Sequence, residues 1–257
     1  MPNQIAKKLM PEEEELVAKR EELKRLEVQL AEGELALASL KAELAGFEGL
    51  YLRRVGVLYA ELDDWKARLA EIRAKRSDTS EARTHAAEAR SQAQESYSAA
   101  HGKAADVQPF SPSPDLKSLY RETAKRAHPD TATDEKDRVR RERLMKEVNA
   151  AYAAGNEDAL RRILADIANS PESVQGSDIG ADLVRALRQL RQIRNRISAI
   201  EAEIADLSQS DIAKLKAKAD TASIEGRDLL SEMASSVRAS VNALRMEVDA
   251  ASQEGRK

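Results

Sequence analysis

His128, Pro129 and Asp130 stand in one unbroken run, and four basic residues, Lys117, Arg121, Lys125 and Arg126, precede them. An imidazole and a carboxylate on either side of a residue whose φ is locked near about −65° make a polar probe that is fixed before any partner arrives. Lys117, Arg121 and Lys125 recur four apart and therefore share one face of a helix, with Arg126 beside them; such a face supplies steering and register through charge. Neither feature is a reaction centre. The chain has no Cys and only three scattered His, which excludes a disulfide scaffold, a thiol nucleophile and a thiolate zinc site, and makes a histidine metal cluster unexpected. No nucleotide loop or nucleophile constellation is present, so the expectation is a binding protein that is not an enzyme, with no metal and no cofactor.

The elements that must position these residues are short helices. Ser113, Pro114 and Asp115 make a helix start: a capping oxygen, a proline whose missing amide is not needed, and an acid in the first turn. In LKSLYRETAKRA, residues Leu116, Leu119, Tyr120, Thr123 and Ala127 fall on one face, opposite the basic one. Pro129 disfavours the helical conformation of His128 and ends the helix there. After the polar turn TATDEKD a second helix carries Leu144, Met145, Val148, Ala151 and Tyr152. Gly155 and Asn156 end it, and EDALRRILADIA begins a third.

On both sides of this module the pattern is that of long helices. Of the 257 residues 42% are hydrophobic and only 3% aromatic, so burial must run along helix seams rather than into one large core. An apolar residue recurs every seven positions through Leu9, Leu16, Leu23, Leu30, Leu37, Leu44, Tyr51, Leu58, Trp65 and Ile72. Its companions are Leu26, Leu40 and Phe47, then Val55, Leu62 and Leu69, so one spacing of three becomes four beside Gly46, Gly49 and Gly56; a kink is expected at that stutter. A second seam pairs Leu183, Leu190, Ile197 and Ile204 with Ala186, Ile193, Ile200 and Leu207, weakens from Ser208 to Gly226, and recovers through Leu230, Met233, Val237, Val241, Leu244 and Val248.

The resulting layout is all-α: an N-terminal coiled-coil arm (1–76), an Ala/Ser-rich, weakly patterned helix with a Pro linker (77–108), the central module (109–169), a linker (170–180) and a C-terminal coiled-coil arm (181–257). Arms of matched length suggest one antiparallel pair within the chain, placing Ile72 near Leu183 and Leu16 near Leu244; the alternative is a homodimer in which each arm meets its copy. The Ala/Ser-rich helix has almost no face to bury and should be of low stability. No segment reads as a membrane span or a signal peptide, so a cytoplasmic setting is expected. The net charge of −3 is finely interleaved, and the run Arg138–Arg143 reads as a solvated helix face rather than a nucleic-acid patch. His85 and His101 read as surface residues.

DLKSLYRETAKRAHPD followed by MKEVNAAY resembles a J-domain, the module by which Hsp40-type co-chaperones act on Hsp70, and covers about 60 residues. The layout with coiled coils on both sides is similar to a group of bacterial J-domain proteins. The resemblance implies that Lys117, Arg121, Lys125 and Arg126 dock on an acidic face of an Hsp70 (DnaK-like) chaperone. It further implies that His128, Pro129 and Asp130 contact the interdomain linker region, where Asp130 would pair with an arginine, and that ATP hydrolysis is stimulated. Clients or other partners would bind the arms. Three departures stand out: VQPFSPSP replaces the family's first helix, Ala127 replaces its tyrosine before the loop, and no glycine/phenylalanine-rich or zinc region is present. Phe110, EDALRRILADIA or an arm must then supply the missing packing. The competing reading is a coiled-coil scaffold or tether with a degenerate, structural J-like hairpin.

Overall fold

A computed structural model describes residues 11–102, 107, 109–132, 134–168 and 179–254. These residues are all-α, without a strand among them. Helix α1 (Pro11–Tyr51) passes through a π segment (Leu52–Gly56) into α2 (Val57–Ser77), and α3 (Ser80–Ala100) follows. Next come α4 (Pro114–Ala127), a 3-10 turn (Pro129–Thr131), α5 (Glu135–Ala153) and α6 (Glu157–Ala168). Helices α7 (Ile179–Ser208), α8 (Asp211–Ile224) and α9 (Leu229–Glu254) complete the order. The start of the first seam, at Leu9, and most of the linker expected at 170–180 lie outside the described residues. Among the described residues no helix is long and apolar enough to cross a membrane. The chain divides into two units, residues 1–42 with 110–208 and residues 43–109 with 209–257.

In the first unit α1 and α7 lie side by side. Leu30, Leu37, Ile193 and Ile200 form their buried seam, flanked by Leu23, Leu26, Ile197, Ile204 and Leu207. Arg20 meets Asp182 at 3.0 Å, Arg196 meets Glu34 at 2.8 Å and Lys41 meets Glu203 at 2.6 Å, every partner lying 162 residues further along the chain. A constant difference in position means that the two helices run in the same direction; in an antiparallel pair the sum would be constant instead.

The second unit repeats this direction. Arg54 meets Asp228 at 3.0 Å and Arg73 meets Glu247, both pairs 174 residues apart. Val55, Leu230 and Ala234 form the core there, with Phe47, Leu50, Tyr51, Leu58 and Met233 packed around it. The antiparallel arrangement expected from the arms is therefore incorrect. Arg73, beside Ile72, faces α9 rather than the level of Leu183, and Asp182, beside Leu183, faces Arg20 of α1.

After α2 the chain reverses at Asp78, which adopts the left-handed conformation (φ 47°), and at Thr79, whose side chain caps α3 by accepting from the Ala82 amide. Helix α3 then runs back along α2: Arg90 grips both Glu71 (2.8 Å) and Asp64 (2.6 Å), and Ser96 donates to Asp63 (2.7 Å). Its buried residues are Ala86, Ala93 and Ala100, at heptad spacing, and Ala86 packs against Ala70 and Ala74. Alanine seams bring two backbones close with little side-chain area, so the segment expected to have no face to bury does have one.

The stutter is absorbed rather than broken. At Leu52–Gly56 the helix widens into a π turn, with the Val57 amide reaching the Leu52 carbonyl five residues back. A π turn takes in one extra residue, which is the difference between a spacing of three and one of four. The weak stretch of the second seam corresponds to a true interruption: α7 ends, Ser210 caps α8, and Gly226 (φ 76°) turns the chain into α9.

The parallel register is directly testable, because the chain offers a cysteine-free background. Arg20→Cys with Asp182→Cys, and Arg73→Cys with Glu247→Cys, are expected to crosslink within one chain under mild oxidation. Efficient crosslinking of Leu16→Cys with Leu244→Cys and of Ile72→Cys with Leu183→Cys in their place would contradict it.

Candidate functional site

The site belongs to the first unit and begins with the Ser113 hydroxyl, which accepts from the Leu116 amide at 3.0 Å and starts α4 as the sequence predicts. Leu116, Tyr120, Thr123, Ala124 and Ala127 of α4 are buried against Met145, Val148, Ala151 and Tyr152 of α5 and Leu160 of α6. Gly155 (φ 66°) ends α5, and the Asn156 side chain caps α6 by accepting from the Ala159 amide.

Tyr120 and Tyr152 are fully buried, with ring centroids 4.6 Å apart. The Tyr120 hydroxyl donates to Asn149 at 2.7 Å, and the Tyr152 hydroxyl pairs with Ser39 of α1 at 2.7 Å. Burial drives the Tyr120 phenol pKa strongly upward, with the nearby Glu34 charge adding to it, so it stays a neutral donor. Phe110 meets Tyr152 edge-on at 5.2 Å. Leu35 and Ala38 of α1 close the remaining face. Phe110, α6 and α1 thus all contribute the packing for which the sequence offered them as alternatives.

His128 does not project from the turn as its loop position suggests. It is 2% exposed. Its Nδ1 accepts from the Asp130 amide at 3.1 Å, which requires a lone pair on Nδ1 and places the ring proton on Nε2. That proton points at Glu34 Oε1, 3.0 Å away, and the same oxygen accepts from Arg196 Nε at 2.8 Å. One carboxylate, itself 4% exposed, therefore joins α1, α7 and the loop.

Burial alone would raise the Glu34 carboxyl, but hydrogen bonds from His128 and Arg196 outweigh it and hold the group below the usual glutamate range. Asp130 is half-buried, and its carboxyl is pushed up, by burial first and despite the attraction of His128 and Arg196. The loop is tied from its other side as well. Thr131 donates to the His128 carbonyl at 2.7 Å, while Arg141 Nη1 donates to both the Arg126 carbonyl and Thr131 Oγ1 at 2.8 Å.

Of the residues named from the sequence, Lys117, Arg121, Lys125 and Arg126 are all exposed on α4, and Pro129 and Asp130 are partly exposed. Arg126 pairs with Glu122 at 2.9 Å along its own helix. The half-buried carboxyl of Glu27 on α1 is raised, because desolvation outweighs the attraction of Lys125, Arg141 and Lys24. In the basic run, Arg138 is paired to Glu135 and both Arg140 and Arg141 to Asp137, as a self-neutralising helix face would be. His85 and His101 are exposed.

Glu34, Arg196 and Arg141 escape the sequence reading. The available signal is a second stripe on α1, Ala31, Glu34, Leu35, Ala38 and Ala42, one step round from the leucine seam; Ala31, Glu34 and Ala42 are buried and Leu35 and Ala38 pack on the module core. No protein-family model, no curated protein and no solved structure matches this chain.

Proposed function

We propose that this protein is a specialised J-domain-like co-chaperone that binds an Hsp70 through the basic face of α4 and the His128-Pro129-Asp130 loop and stimulates its ATP hydrolysis. In this reading the long helix pairs are coiled-coil arms that bind a client or partner, and the setting is cytoplasmic. The observation that carries it is the placement of the loop at the end of a helix whose outward face holds four exposed basic residues, Lys117, Arg121, Lys125 and Arg126, while its inward face is locked by two buried tyrosines. A basic rim governs encounter with an acidic partner; Asp130, half-buried and with no hydrogen-bonded cation among the described residues, would gain from an arginine brought by that partner.

A single-turnover ATPase assay with the cognate Hsp70 tests the reading. Asp130→Asn keeps the shape and removes the charge, and loss of one partner of such a pair costs about 2–5 kcal/mol, at least roughly 30-fold in apparent affinity, so stimulation is expected to collapse. Lys125→Glu should weaken association in a salt-sensitive manner. Equal stimulation by the unmodified chain and Asp130→Asn would refute the assignment of the loop. The second reading, a scaffold or tether whose J-like hairpin is structural, is favoured by the near-complete burial of His128, and absence of any stimulation by every variant supports it.

A further inference from the structure

The groups that cover His128 come from two different helices. Glu34 stands on α1 and Arg196 on α7, and the carboxylate between them accepts from both the imidazole and the guanidinium. Among the described residues no buried side-chain nitrogen or oxygen lacks a hydrogen-bond partner, so the closed arrangement is complete. The α4–α5–α6 core, by contrast, is built mainly from its own residues: Leu116, Tyr120, Val148, Tyr152 and Leu160 pack on one another, and α1 adds Leu35 and Ala38 at the margin with hydrogen bonds between Ser39 and Tyr152 and from Tyr120 to the Glu34 carbonyl. Loosening α1 from α7 would therefore free the loop before it dissolved the module. Buried ion pairs come close to balancing their desolvation cost, which suits a contact that must open as well as close.

We propose that Glu34 and Arg196 form a latch that holds His128 out of reach of Hsp70, and that loosening the parallel α1–α7 pair releases the loop. This deepens the co-chaperone reading and rests on it. The state of the helix pair sets the state of the loop, because Glu34 cannot leave His128 without also leaving or displacing Arg196. A partner engaging the α1–α7 pair would thereby control stimulation without touching α4.

Diethyl pyrocarbonate, read by mass spectrometry on the full chain, reports His128 against two internal references, the exposed His85 and His101. In the unmodified chain His128 should react about tenfold or more slowly than either, since it must wait for local opening. Glu34→Ala should bring it to within about threefold of them and raise Hsp70 stimulation about tenfold at subsaturating concentration, as expected when the competent fraction increases. The converse uses Lys41→Cys with Glu203→Cys, joined across the α1–α7 pair at a distance from the loop: the crosslinked form should stimulate less than its reduced form.

Equal reactivity of all three histidines in the unmodified chain overturns the latch. Equal stimulation by the unmodified chain and Glu34→Ala overturns it while leaving the co-chaperone reading intact. Exposure of His128 in Glu34→Ala without stimulation by either form sinks the co-chaperone reading, and the regulatory role with it. Should Glu34→Ala lose helicity, the cysteine pair decides, and equal stimulation by its crosslinked and reduced forms counts against the latch.

Discussion

Tyr152→Ala is expected to be among the most damaging single substitutions in the first unit, lowering its unfolding free energy by about 3–5 kcal/mol. The side chain is fully buried, packs its ring against both Tyr120 and Phe110, and ties α5 to α1 through Ser39. Truncation leaves a cavity beside Tyr120 and Phe110, and Tyr120 cannot collapse into it without breaking its own hydrogen bond to Asn149. Tyr152→Phe removes only the hydroxyl pairing and should cost about 1 kcal/mol. Urea denaturation of the full chain separates the two. Similar midpoints for Tyr152→Ala and Tyr152→Phe would show that the ring contacts contribute little.

Arg196→Met should destabilise the same unit by about 3 kcal/mol at neutral pH, because it leaves a nearly inaccessible carboxylate with the His128 Nε2–H as its remaining hydrogen-bond donor and no cation paired to it among the described residues. The pH dependence has a defined sign. Glu34 has its folded carboxyl held below the ordinary range, so its stabilisation is present above that range and is lost as pH falls through the folded value. Arg196→Met should therefore lose its disadvantage relative to the unmodified chain in acid. Asp130 runs the other way: its folded carboxyl is raised, so its contribution is favourable at low pH and is lost as pH rises through the folded value. At neutral pH the ionised Asp130 works against the fold, and Asp130→Asn should melt no earlier than the unmodified chain. A pH-independent deficit for Arg196→Met would mean that the Glu34 charge is not what the arginine serves.

What the sequence made legible was whatever depends on local pattern. The Ser113 cap, the basic face of α4, the stop at His128 and the leucine seam through Leu30 and Leu37 all follow from spacing within a few turns, and the structure contains each of them. Directions were not legible in this way. A heptad seam specifies a stripe and not the sense in which its partner runs, and the face of α3 stays hidden because it buries alanines at 86, 93 and 100 that carry too little apolar weight to stand out from solvent-facing ones.

The latch was hidden for a related reason. The companion series of the first seam lapses at Gly33, over which Ile200 sits, with a Cβ there 3.5 Å from its Cγ2. The acid that follows reads as one more coiled-coil flank among many. Apart from its place on the weak alanine stripe, it is the tertiary arrangement that distinguishes Glu34 from Glu32, which is exposed two residues earlier.

The most direct test of the account is a single-turnover ATPase comparison of four full-length chains with the cognate Hsp70: unmodified, Glu34→Ala, Asp130→Asn, and the double substitution. If the loop acts on Hsp70 and the helix pair covers it, Glu34→Ala stimulates more than the unmodified chain, and adding Asp130→Asn removes the stimulation in both backgrounds. If the double substitution stimulates as strongly as Glu34→Ala alone, the loop is not the acting element and the account is wrong.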